Sequence, residues 1–116
     1  MVSMKIVDKV ITLEELKKMA EGMFGNLVKA VVDVEKEVMV VGGELHSDEE
    51  KLLLENGSCQ NNLWGINIYP EKQEDDFVEF DSVINLRPSQ NNYSRFVEDK
   101  KIRNKILKII EKLIKK

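Results

Sequence analysis

The chain has a single cysteine, Cys59, so no disulfide can close within it. The fold must rest on packing, which suits a reducing compartment such as the cytoplasm. It has a single histidine, His46. Without a second histidine or a cysteine cluster there is no recognisable zinc pattern, and a serine triad has little support. Gly42-Gly43 lacks the downstream Lys-Ser or glycine spacing of a phosphate-cradling loop. No apolar run reaches the length of a membrane helix, and residues 1–10 carry none of signal-peptide length. Membrane spanning and secretion are therefore not expected.

What is present suffices for one core. With 42% hydrophobic residues in 116, the chain is expected to form a single domain over residues 1–116. A formal net charge of −3 argues against a general affinity for nucleic acid. That value hides an asymmetry: residues 95–116 hold nine Lys or Arg against three Asp or Glu, leaving −9 on the remainder. The last helix is a basic rod on an acidic body.

Met4 to Val10, rich in β-branched residues, reads as a strand. Thr12-Leu13-Glu14-Glu15 is a capping box that opens a helix with Leu13, Leu16, Ala20 and Met23 on its buried stripe and Gly25 as a left-handed stop. Val28 to Val41 reads as two strands joined tightly near Glu35-Lys36-Glu37. Ser47-Asp48-Glu49-Glu50 is a second capping box before a short helix ended by Asn56-Gly57. Leu63 to Tyr69 and Phe77 to Arg87 are the clearest strands, joined by the acidic connector 70–76. Pro88 ends the second of these and holds Arg87 extended. Asp99 caps the last helix, where Ile102, Ile106, Ile109, Ile110 and Leu113 recur at helical spacing. The expected class is α+β, a mainly antiparallel sheet of about five strands with three helices in the order β-α-β-β-α-β-β-α.

Alternation along Phe77 to Arg87 puts Val78, Phe80, Ser82, Ile84 and Leu86 on one face and Phe77, Glu79, Asp81, Val83, Asn85 and Arg87 on the other. If Leu63 to Tyr69 pairs with polar faces aligned, Asn67, Tyr69, Asp81, Asn85 and Arg87 converge, and Asp33 and Glu35 can join them. A half-solvated antiparallel sheet gives the same alternation without any function. Asp and Asn fit strands poorly, however, and point to specific hydrogen bonding. An Arg fixed beside a proline can hold a phosphate or carboxylate with its two-pronged donor geometry. Glu44 and His46, a carboxylate and an imidazole ahead of the second capping box, suit acid–base work, though no metal ligand set is complete. The loop Ser89 to Arg95 adds donors and acceptors, and Cys59 is expected to be buried or half-buried.

Four blocks carry a resemblance: Val31-Val32-Asp33-Val34-Glu35-Lys36; Gly42-Gly43-Glu44-Leu45-His46 through Glu50; Leu63-Trp64-Gly65-Ile66-Asn67-Ile68-Tyr69-Pro70; and Phe80-Asp81-Ser82 through Ile84-Asn85-Leu86-Arg87-Pro88. Together they resemble an uncharacterised prokaryotic family, the domain-of-unknown-function family 5674. The resemblance implies a compact intracellular domain with no known activity. The residues matching its motifs are Glu44, His46, Trp64, Asn67, Asp81, Asn85, Arg87, Asn92, Ser94 and Arg95. Asn91 stands where the pattern has Gly, and Cys59 where it has a basic residue.

Two readings stand side by side. In the first, the polar face of the sheet is a binding or catalytic pocket for a small polar or anionic ligand. Arg87 and Arg95 hold the anion, Asn67 and Asn85 orient it, Asn92 and Ser94 add ligand contacts, and Glu44, His46 or Asp81 handles protons or a divalent ion. In the second, the basic last helix makes the chain an interaction module for protein or nucleic acid. Homodimerisation through a sheet edge is compatible with both, and no cofactor is identified.

Overall fold

The computed structural model describes residues 4–116. Runs of β-branched residues form strands and amphipathic stretches form helices in the expected order. The elements are β1 (Lys5–Val7), β2 (Ile11–Thr12), α1 (Leu13–Glu21), β3 (Val28–Asp33), β4 (Val38–Val41), α2 (His46–Glu55), β5 (Leu63–Ile68), β6 (Val78–Glu79), α3 (Lys100–Leu113) and β7 (Ile114–Lys115). The five-stranded sheet has the order β1-β4-β3-β5-β6, and every pairing in it is antiparallel. Beside it, β2 and β7 pair in parallel, tying the start of α1 to the end of α3. The class is α+β. No helix among the described residues is long and apolar enough to cross a membrane.

The central strands are buried on both faces, not half-solvated. One face places Ala30, Val32, Met39, Val41, Trp64, Ile66 and Ile68 in a cluster with Leu16 and Ala20 of α1 and Ile106, Ile109, Ile110 and Leu113 of α3. The opposite face packs Val31, Val40 and Leu63 against Leu53 of α2. Fully burying one such leucine contributes roughly 2 kcal/mol. Every residue of β5 is buried.

Local chemistry explains the joints. Between β3 and β4 no glycine is needed, because the Asp33 carboxylate accepts from the Glu35 and Lys36 N–H groups, both at 2.9 Å, while Glu37 takes the left-handed conformation at φ 58°. Asp33 thus holds a turn and does not join a polar site. At α1 the Thr12 hydroxyl accepts from Glu15 N–H at 3.1 Å, but the Glu15 carboxylate binds Lys5 at 2.9 Å, so the box is half formed. Gly25, at φ 90°, donates its N–H to Ala20 C=O and closes the helix end; Met23 lies beyond the last turn. The second capping box does not form. α2 begins at His46, capped by Leu45 without a side-chain bond, which places Ser47 inside the first turn.

The main departure lies in residues 77–96. Only Val78–Glu79 is a strand; Val83–Asn85 and Pro88–Gln90 are 3-10 turns, and Arg87 and Asn92 form an isolated bridge. Ser82 opens the first of these turns, its hydroxyl accepting from Ile84 N–H. Asn91, at φ 58°, closes the second. Asp, Asn and Ser compete with ladder bonding through their own side chains, so they bend a segment that alternation alone reads as straight.

Candidate functional site

The polar residues predicted to converge fall into two groups. Asn85 and Arg87 lie along the edge of β5 that β6 is too short to cover, and Asn92 lies in the loop that carries them. The Asn85 amide copies a peptide group: its Oδ1 accepts from Gly65 N–H at 2.8 Å and its Nδ2 donates to Gly65 C=O at 3.0 Å. Asn85 Nδ2 also donates to Arg95 C=O. Asn92 Nδ2 reaches the carbonyls of Asn85, Ser94 and Phe96, and its Oδ1 accepts from Glu98 N–H at 2.9 Å. The Arg87 guanidinium donates to the carbonyls of Gln60 and Leu63 and stacks over Trp64, 4.1 Å from the ring centre. Burial lowers its pKa, while Glu50 acts in the opposite direction. Asn85 and Arg87 replace the missing ladder and fasten the 82–96 loop to the sheet, while Asn92 ties that loop to itself.

The second group lies on the same side of the sheet as α2. Register sets Lys29, Asn67 and Glu79 in one row across β3, β5 and β6. Asn67 Nδ2 donates to Glu79 Oε1 at 2.8 Å and to Asp81 C=O at 3.2 Å, and the Tyr69 hydroxyl donates to the same Glu79 oxygen at 3.0 Å. Asp81 pairs with Arg95 at the surface, with Nε to Oδ1 2.8 Å. At the start of α2, His46 Nε2 meets Ile66 C=O at 2.7 Å; a carbonyl only accepts, so Nε2 carries the proton and Nδ1 is the basic nitrogen. Burial is the main cause lowering the His46 pKa; the Ile66 bond and the Asp81 charge oppose it, and the charges of Lys29 and Arg95 act with it. Glu44 is exposed and makes no side-chain hydrogen bond among the described residues, and the Ser94 hydroxyl donates to Glu98 at 2.7 Å.

Glu49 was legible only as a charge in a first helical turn, yet it is fully buried. One oxygen accepts from Gly43 N–H at 3.0 Å, and the other has no partner among the described residues. Burial raises its carboxyl from 4.5 to about 9, against smaller opposing effects of the Gly43 bond and Lys29. Gly43 permits this approach: a Cβ there would lie 2.6 Å from Glu49 Cγ. Lys29 and Glu79 were missed because Lys and Glu on a strand normally mark a solvated face.

A groove of about 700 Å³ opens at the free side of β6. Five carboxylates line it, those of Glu74, Asp75, Asp76, Glu79 and Asp81, against the cations of Lys72 and Arg103. Its aromatic walls already attract positive charge: Lys72 Nζ sits 4.5 Å over the Tyr69 ring and the Arg103 guanidinium 4.8 Å over Phe96. Phe80 meets Phe96 edge to face, with centroids 6.1 Å apart. Of the residues predicted to converge, Tyr69 and Asp81 line the groove. A second cavity of about 480 Å³ shares Glu74, Val78 and Leu107 with it, so the opening continues along α3. No group of three His, Cys, Asp or Glu among the described residues is placed to hold a metal. Cys59 is exposed, contrary to expectation, because it precedes the surface 3-10 turn Gln60–Asn62.

A family model described as Protein of unknown function (DUF5674) matches residues 5–113. No curated protein and no solved structure matches the chain.

Proposed function

The chain belongs to the family of proteins of unknown function DUF5674, and we propose from its geometry that it is a binding module whose acidic groove beside β6 receives a positively charged ligand. The observation that carries this reading is the groove's lining of five carboxylates, of which Asp81 is already paired with Arg95, against the cations of Lys72 and Arg103. Each unpaired carboxylate attracts a bound cation by about 1 kcal/mol at 4 Å even in a water-like dielectric. An anion fits less well. The outer nitrogens of Arg87 donate to backbone carbonyls, Arg95 is held by Asp81, and a phosphate in the groove would face the carboxylates.

The test is a thermal-shift and calorimetric series with spermidine, cadaverine and N-acetyl-lysine amide, set against inorganic phosphate and nucleotides. Stabilisation by the amines is expected, weakening with salt and lost in the Asp75→Asn/Asp76→Asn variant. Equal shifts in that variant, or shifts with the anions alone, would refute the reading.

A second reading rests on a different surface. Lys101, Lys105, Lys108 and Lys112 recur on one exposed stripe of α3, and among the described residues only Lys112 of these is in an ion pair, with Glu37 at 3.0 Å. That stripe suits an anionic partner such as RNA. Salt-sensitive RNA binding that disappears when Lys101, Lys105 and Lys108 become Glu, and survives Asp75→Asn/Asp76→Asn, would favour it.

A further inference from the structure

We infer that the open edge of β6 accepts an extended segment of a partner protein as a sixth strand, with apolar residues alternating with Lys or Arg. The inference rests on the reading of the groove as a cation site and adds the backbone to it.

The strand geometry leaves this edge unused. Tyr69 N–H donates to Phe77 C=O at 2.8 Å, and Glu79 stands opposite Asn67 in the register. Phe77 and Glu79 therefore turn their backbone groups toward β5. Because these groups alternate along a strand, those of Val78 turn outward. β6 ends the strand order, and Val78 has no backbone partner on that side among the described residues. Val78 lines the groove, so the unpaired edge faces an open channel. Its continuation into the second cavity gives room along α3 for an extended segment rather than a compact ligand.

The two faces of an added strand would meet different chemistry. On the side of Val78 and Phe80 it would find Leu107, 42% exposed on α3. On the other side it would find the carboxylates of Glu79 and Asp81. An apolar–basic alternation satisfies both, since neighbouring residues of a strand point to opposite faces. A second copy of this chain fits less well: a two-fold pairing of β6 with itself would bring Glu79 and the Glu74–Asp76 turn against their own copies.

The experiment is a fluorescence-anisotropy titration of the full chain with a labelled six-residue peptide alternating Val and Lys. Two companion peptides are N-methylated on either the odd or the even residues, and a third carries Glu in place of Lys. Saturable binding of the parent is expected, with a loss of about tenfold or more for one N-methyl series only, the size of one backbone hydrogen bond. The Glu peptide should not bind, and the Asp75→Asn/Asp76→Asn variant should weaken the parent. If both N-methyl series bind like the parent while N-acetyl-lysine amide still stabilises the protein, strand addition is overturned and the cation groove stands. If neither peptide nor amine binds, both fall, and the carboxylates only shield an edge. A dimer in sedimentation that the parent peptide dissociates would give the edge to a second copy and overturn the partner assignment.

Discussion

Glu49 supplies the sharpest check on the energetics of this fold. Its carboxyl is fully buried, bonded to Gly43 N–H through one oxygen, and raised to about 9 by burial, so the folded protein keeps it protonated at neutral pH. In the unfolded chain it titrates at 4.5. Below that value both states hold the proton and the group is neutral to stability. Between 4.5 and about 9 only the folded state holds it, so rising pH favours unfolding by about 1.4 kcal/mol per unit. At pH 7 the accumulated loss is about 3 kcal/mol, a substantial share of a typical domain's stability. Glu49→Gln keeps an acceptor for Gly43 and removes the proton. Urea unfolding of both proteins across roughly pH 5 to pH 8 should give similar stabilities at the acid end and a variant several kcal/mol more stable at the alkaline end. His46, whose lowered pKa makes stability fall as pH drops below its unfolded value of 6.5, acts in both proteins and cancels in the difference. A difference that stays flat with pH would show Glu49 ionised in the fold and refute the reasoning.

Two further predictions concern the sealed edge of β5. Gly65→Ala would set a Cβ 2.6 Å from Ser82 Cβ and Oγ, so urea unfolding should register a loss of about 1–3 kcal/mol, and Ser82→Gly in that background should recover part of it; no coupling between the two changes would argue against the contact. Asn85→Ala strands Gly65 N–H and C=O away from the ladder, and a loss of about 2–4 kcal/mol with faster hydrogen exchange at the Gly65 amide is expected. Unchanged exchange at Gly65 would mean the side-chain amide does not stand in for a strand.

How much of this was legible beforehand depended on the range of the interactions involved. The helical spacing of Ile106, Ile109, Ile110 and Leu113, the Thr12 and Asp99 caps, the Gly25 stop and the valine-rich hairpin are set by contacts within a few residues, and all appear as read. Alternation gave the right faces for Val78 and Glu79 but misread residues 80–87 as a continuing strand. Asn85 bonds Gly65 and Arg87 reaches Gln60, contacts that join residues 20 and 27 positions apart. Asn67, Asp81, His46 and Arg95 did gather on one side of the sheet, whereas Glu44 and Ser94 remained apart from them. The sequence by itself determined the elements, their order and the sign of charge on each segment, because propensity, capping and periodicity act locally. Only the tertiary structure decided that Asn85 and Arg87 seal an edge, that Glu49 is neutral, and that a carboxylate-lined groove opens between β6 and α3. Burial and edge exposure are properties of surfaces brought together from distant parts of the chain, and no local pattern encodes them.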